Sequence, residues 1–169
     1  MGKNIVLIGM PGVGKSTSGV ILAKVMNYDF LESDLVIQHQ TGKLLKDIIR
    51  EEGIDGFNAV ENRINAGIDV ENTVIATGGS VIFGPDAMAH FKEIGVVVYL
   101  RISYDLLDKR LGDLDERGVV HKEGQTLRDI YNERTALYEK YADVMVDLDG
   151  KDVAGTVDAI VAQLEGRLG

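Results

Sequence analysis

Near the amino terminus, "GMPGVGKST" (residues 9–17) sets Gly9, Gly14, Lys15 and Ser16 in the spacing G-x-x-x-x-G-K-[ST]. These residue types at this spacing suit a polyphosphate. Glycines let the backbone approach phosphate oxygens that a Cβ would obstruct, and the start of the following helix adds its N–H groups and its positive pole. The lysine then neutralises the β and γ phosphates, and the serine hydroxyl can ligate Mg²⁺. The candidate nucleotide contacts are therefore Gly12, Val13, Gly14, Lys15, Ser16 and Thr17, with ATP and Mg²⁺ as the implied cofactors. The competing reading is a glycine-rich strand-to-helix turn carrying a surface lysine. The apolar "NIVLI" before the loop and the helical periodicity after it favour the phosphate loop.

The elements that must position such a loop are legible as short apolar, β-branched runs at 4–8, 28–31, 73–77, 96–100 and 144–148, which predict five strands. Helical periodicity fills the intervals: Val20, Ile21, Lys24 and Val25; Leu106, Leu107 and Arg110; a stripe from Leu127 to Tyr141; and Val153 to Leu164. Alternation of strand and helix predicts an α/β fold, a five-stranded parallel sheet flanked by helices, in a single domain over residues 1–169. Two stretches break the alternation. Residues 34–72 are helical for longer than one crossover needs, which predicts a helical insertion, and residues 112–124, "GDLDERGVVHKEG", are a polar loop of the kind that is functional or mobile.

Bulk composition narrows the partners. Eighteen basic against 27 acidic residues leave a formal charge of -9, and no basic face is apparent, so nucleic acid is not an expected partner. Without cysteine there is neither a disulfide scaffold nor a thiolate metal site, and the expected compartment is the cytoplasm. His39, His90 and His121 lack zinc spacing and are expected on surfaces rather than as ligands. No apolar run approaches the roughly 18 residues of a membrane span, and a monomer is assumed by default.

With these residues in hand, the sequence resembles the shikimate kinase family of P-loop small-molecule kinases, as a divergent member. The likeness spans nearly the whole chain and rests on "GMPGVGKST", "FLESD", "GFNAVE", "ATGGSV" and "NERTALYEKYADV". It implies ATP-dependent phosphorylation of a small-molecule hydroxyl, shikimate first, with residues 34–72 as the substrate-binding insertion and 112–124 as a lid. Asp34 takes the place of the carboxylate that hydrogen-bonds the acceptor hydroxyl, and Glu32 that of a carboxylate holding the metal's water shell. Gly78, Gly79 and Ser80 match a backbone segment that touches substrate, and Arg134 the arginine on the substrate carboxylate. Arg117 corresponds to a lid arginine that closes over the phosphates, and Arg110 to one stacked on adenine. Each arginine has a competing reading as a surface residue. "ESD" reads equally as a helix N-cap, with Asp34 or Ser33 capping, and the glycine pair reads equally as a plain turn.

The chain departs from the family pattern in places. Ile54 and Asn58 stand where the family has glutamate and arginine, the latter a second clamp on the substrate carboxylate. Asn58 remains a candidate substrate contact, with Asn62 and Arg63 as candidate compensating groups. Glu32 replaces an aspartate, Ser80 a third glycine, and the lid lacks the proline that follows its arginine. Three alternatives stay open: a different small hydroxy acid, amino acid or polyol as acceptor; a nucleotide-binding protein with little kinase activity; and a nucleotide monophosphate kinase. The last fits least, because "REEGID" offers no cations for a second phosphate chain.

Overall fold

The structure is a computed structural model that describes residues 3–112 and 119–169. Strands β1 (Asn4–Ile8), β2 (Asp29–Glu32), β3 (Thr73–Ala76), β4 (Gly95–Arg101) and β5 (Val144–Asp147) form one parallel sheet in the order β2-β3-β1-β4-β5. Every predicted strand is present. β1 is buried along its whole length and sits at the centre, with Leu7 in register with Ala76 on one side and Val98 on the other. The chain leaves β1 toward β2 and returns through β3, then crosses to β4. The reversal leaves a crevice at the carboxyl end of β1, where open α/β sheets bind ligands.

Seven helices connect the strands among the described residues: α1 (Lys15–Met26), α2 (Ser33–Thr41), α3 (Leu45–Ala66), α4 (Pro85–Ile94), α5 (Tyr104–Leu111), α6 (Leu127–Tyr141) and α7 (Val153–Leu164). The predicted insertion resolves into α2 and α3, and α3 is kinked at Gly53, whose φ of 73° and ψ of -179° break the helical run. α4 is absent from the periodicity reading, although "GP" at its start is a helix signal, with Pro85 in the first turn and Ala87, Met88 and Phe91 on the buried face. α6 opens with a reciprocal cap in which the Thr126 side chain accepts from the Asp129 N–H and Asp129 accepts from the Thr126 N–H.

The apolar interior has two parts. The larger surrounds the sheet; the smaller joins Ile37, Ile48, Phe57 and Ile64 of α2 and α3, with Val120 packed against it. No helix among the described residues is long and apolar enough to cross a membrane.

Candidate active site

The phosphate loop lies between β1 and α1. Gly12 and Gly14 have φ of 80° and 86°, in the left-handed region where a side chain is strained. Gly14 would meet nothing within 4 Å if it carried a Cβ, so its requirement is backbone conformation rather than space. The buried Lys15 ammonium donates to the carbonyls of Gly9 at 2.7 Å and Met10 at 2.8 Å. Burial pulls its pKa from 10.5 down to about 7, against the raising influence of the Asp34 charge.

Across the crevice the carboxyl end of β2 runs directly into α2. Glu32 occupies the cap position of α2 without making a capping bond, and its carboxylate instead accepts from the Ser16 hydroxyl. The N-cap reading of "ESD" is thus corrected: neither Ser33 nor Asp34 caps α2, whose helical run begins at Ser33 itself. Asp34 is held by burial above the ordinary carboxyl range, with Lys15 opposing the shift.

After β3, Gly78 to Ser80 make a tight turn into a 3-10 turn at Val81–Phe83, so the turn reading of this segment holds alongside its role as a cavity wall. A Cβ on Gly78 would lie 2.8 Å from Asp34 Oδ1 and 3.0 Å from Glu61 Oε2, so two carboxylates converge on this backbone. Glu61 was not assigned a role in the sequence reading. An acid four residues after Phe57 and three before Ile64 falls on the buried stripe of α3, and that placement is the signal for it. Its Oε1 accepts from the Ser80 hydroxyl at 2.8 Å, and its Oε2 has no hydrogen-bond partner among the described residues.

Two adjoining cavities follow from these placements. The phosphate cleft, about 290 Å³, is lined by Gly12, Gly14, Lys15, Ser16 and Thr17 with Glu32, Asp34, Gly78 and Gly79. The neighbouring cavity, about 190 Å³ and the candidate acceptor cavity, shares Pro11, Asp34, Gly78 and Gly79 with it and adds Glu61, Ser80 and Arg134. Arg134 is buried and donates to the Val120 carbonyl, so it is not a surface arginine. Asn58 lines an outer cavity that meets the candidate acceptor cavity at Arg134 and Val120, and its Oδ1 is buried without a hydrogen-bond partner among the described residues.

Arg110 is exposed at the rim of a cleft on the other side of the phosphate loop, beside Gly12, Val13, Gly14 and Thr17. Lys151, Asp152 and Val153 line the same cleft. They escaped the sequence reading because more than a hundred residues separate them from the loop they face. Arg117 lies outside the described residues. The proposed compensation by Asn62 and Arg63 does not hold: Asn62 docks α4, accepting from the Ala87 N–H at 2.9 Å and donating to Asp86 at 3.0 Å, and Arg63 is exposed. His90 is bonded to the Ile68 carbonyl at 2.6 Å, a structural tie between α4 and the chain leading to β3.

Glu61 gives a measurable pH signature. Burial raises its pKa from 4.5 to about 7, with the Ser80 hydrogen bond opposing. Because the folded value is the higher one, its contribution to stability is complete below about pH 4.5 and is lost as pH rises through about 7. Glu61→Gln removes this dependence, so between about pH 5 and about pH 8 the variant is expected to gain on the parent by on the order of 3 kcal/mol. Denaturant unfolding at the two pH values checks it; an unchanged difference would place the Glu61 titration elsewhere.

Comparison with known proteins agrees with this geometry. The family profile described as shikimate kinase matches residues 11–165. A shikimate kinase from Alteromonas mediterranea is 36% identical over 165 residues, covering 96% of each chain, and one from Persephonella marina is 31% identical over 163 residues, covering 96% of this chain and 99% of that one. Among solved structures, the shikimate kinase of Aquifex aeolicus superposes with a TM-score of 0.84 at 29% identity, covering 97% of both chains. That of Acinetobacter baumannii, in complex with shikimate, gives 0.85 at 29%, covering 98% of this chain and 94% of the other. A profile match across most of the chain and relatives above 30% identity over nearly its full length carry one conclusion: the chain belongs to the shikimate kinase family.

Proposed function

We propose that this kinase transfers the γ-phosphoryl group of ATP to a hydroxyl of shikimate, giving shikimate 3-phosphate and ADP. The observation that carries this reading is the position of Asp34, which lines both the phosphate cleft and the acceptor cavity. A carboxylate at that junction meets an acceptor hydroxyl where it faces the transferable phosphate, and can orient it and take its proton. Lys15 neutralises charge on the β and γ phosphates, and the Gly78–Gly79 backbone walls the path between the two cavities. Arg134 faces the acceptor's carboxylate, for which a guanidinium is a geometrically matched partner.

Ser16 and Glu32 are the residues that would hold Mg²⁺. Their side-chain oxygens are already in contact, and hard oxygen donors suit this ion. Mg²⁺ is commonly held by one or two side chains together with phosphate oxygens and water. When bound, the ion offsets the negative charge of the phosphates.

The test is ADP release with ATP and Mg²⁺, with and without shikimate. Saturable, acceptor-dependent release supports the reading, and its absence with ATP binding intact removes shikimate as the acceptor.

Asn58 favours a second reading, in which the acceptor is another small hydroxy acid, amino acid or polyol. Arg134 is the only arginine among the described residues lining the acceptor cavity and the outer cavity, and Asn58 brings an amide but no charge. A charged hydrogen bond contributes roughly 1.5 to 3 kcal/mol, so Asn58→Arg is expected to lower the KM for shikimate by about tenfold or more. Steady-state kinetics of the variant measure it. An unchanged KM would mean that the cavity departs from shikimate recognition at more than this position.

A further inference from the structure

Tyr138 stands one turn after Arg134 on α6 and is completely buried. Its hydroxyl donates to the Gly79 carbonyl, on a peptide that lies against the Arg134 guanidinium. The ring is held from behind by Tyr99, with centroids 5.1 Å apart and planes tilted by 49°.

The segment it grips has little room. A Cβ on Gly79 would lie 2.7 Å from Pro11 of the phosphate loop and 3.2 Å from Arg134 Nη1, so the Gly79 backbone is wedged between the donor loop and the acceptor arginine. On the next residue the Ser80 hydroxyl is tied to Glu61. The Ser80–Glu61 bond fixes one end of the turn, and the phenol fixes the peptide that faces Arg134. A tyrosine that only filled the core would have no use for a hydroxyl that donates to a wall of the site. Tyr99 supplies the contrast, because its hydroxyl is buried with no hydrogen-bond partner among the described residues.

We propose that Tyr138 is a positioning residue, whose hydroxyl sets Arg134 and the Gly79 peptide relative to each other and so fixes where the acceptor sits against the phosphate loop. This rests on the kinase reading above. Without the hydroxyl the Gly79 carbonyl loses its donor and the peptide packed against Arg134 is free to shift, so the acceptor's hydroxyl and carboxylate are no longer held in register. Displacement of a reacting group by about 1 Å can cost on the order of a hundredfold in rate. The loss should therefore be felt in turnover and in acceptor KM, while the nucleotide contacts, which Tyr138 does not touch, keep their affinity.

The experiment compares Tyr138→Phe with Tyr99→Phe and the parent protein, in ADP-release kinetics with shikimate and in calorimetric ATP titration, at a temperature where circular dichroism reports all three folded. For Tyr138→Phe we expect kcat lowered about tenfold or more and acceptor KM raised several-fold, with ATP affinity within about twofold. Tyr99→Phe should stay within about twofold in every parameter. A folded Tyr138→Phe with parental kcat and KM overturns the proposal, as does a Tyr99→Phe variant with the same losses, which would assign them to the aromatic pair as packing. A parent inactive toward shikimate defeats the acceptor reading instead. In that case, or if Tyr138→Phe does not fold, the deciding observation is the Tyr138 hydroxyl proton in the parent's NMR spectrum: a slowly exchanging resonance close to the Gly79 and Ser80 amides supports the proposal, and its absence overturns it.

Discussion

Lys15→Ala is expected to lower kcat by about 10²- to 10³-fold or more, the range seen when one preorganised charge-stabilising group is taken from a transition state. Its effect on folding is expected to be small, for a reason visible in the surroundings of the ammonium. The ammonium is buried at a desolvation cost large enough to pull its pKa down to about 7, and removing it relieves that cost while leaving the Gly9 and Met10 carbonyls without their donor. The two changes oppose each other, each on the order of 1 to 3 kcal/mol. Single-turnover transfer and thermal melting, measured together, check both halves. A variant that keeps full transfer would remove the phosphate-loop assignment, and one that loses activity only because it unfolds would make Lys15 a structural lysine.

Asp34→Asn is the companion case, with an expected fall in kcat of about 10²- to 10⁴-fold, the span of a positioned acid–base group. The amide keeps the shape and can still hydrogen-bond the acceptor, so the KM for shikimate is expected to change by less than about threefold. The structure makes the substitution a clean one. Asp34 faces the Gly78 backbone and Lys15, makes no ion pair among the described residues, and lies half-buried at the junction of the two cavities. If kcat and KM instead worsen together, Asp34 acts by binding the acceptor; if kcat stays above about a tenth of the parent value, proton transfer to this carboxylate is not needed.

The donor half of the site was written in contiguous residues. A loop whose function depends on the spacing of Gly9, Gly14, Lys15 and Ser16 announces itself locally, and the strands carry runs of apolar residues that need no partner to be recognised. Each observed strand agrees with its expected bounds to within one residue at either end. The acceptor half was legible mainly through resemblance. Glu61 becomes a site residue only because α3 packs beside the turn after β3, which sets it against Ser80 and the Gly78 backbone. Lys151 and Asp152 reach the phosphate loop because β5 runs parallel to β1, so both strands end at the same carboxyl end of the sheet. Helix α4 was missed for a related reason: its apolar face is three buried residues in ten, too few to stand out from the neighbouring apolar segments without the packing of α3 against it.

The division of the interior into a large core around the sheet and a four-residue core beneath the acceptor cavity has a consequence for how this enzyme can change. Phe57 is anchored in the smaller core, while its neighbours Asn58 and Glu61 face the cavities. Substitutions that reshape the acceptor wall therefore draw on the stability of that small core, leaving the sheet that carries the phosphate loop undisturbed. Substrate choice and phosphoryl-transfer machinery are in this sense separately inheritable, and an altered residue such as Asn58 can be sampled by drift without first endangering the ability to fold or to hold ATP.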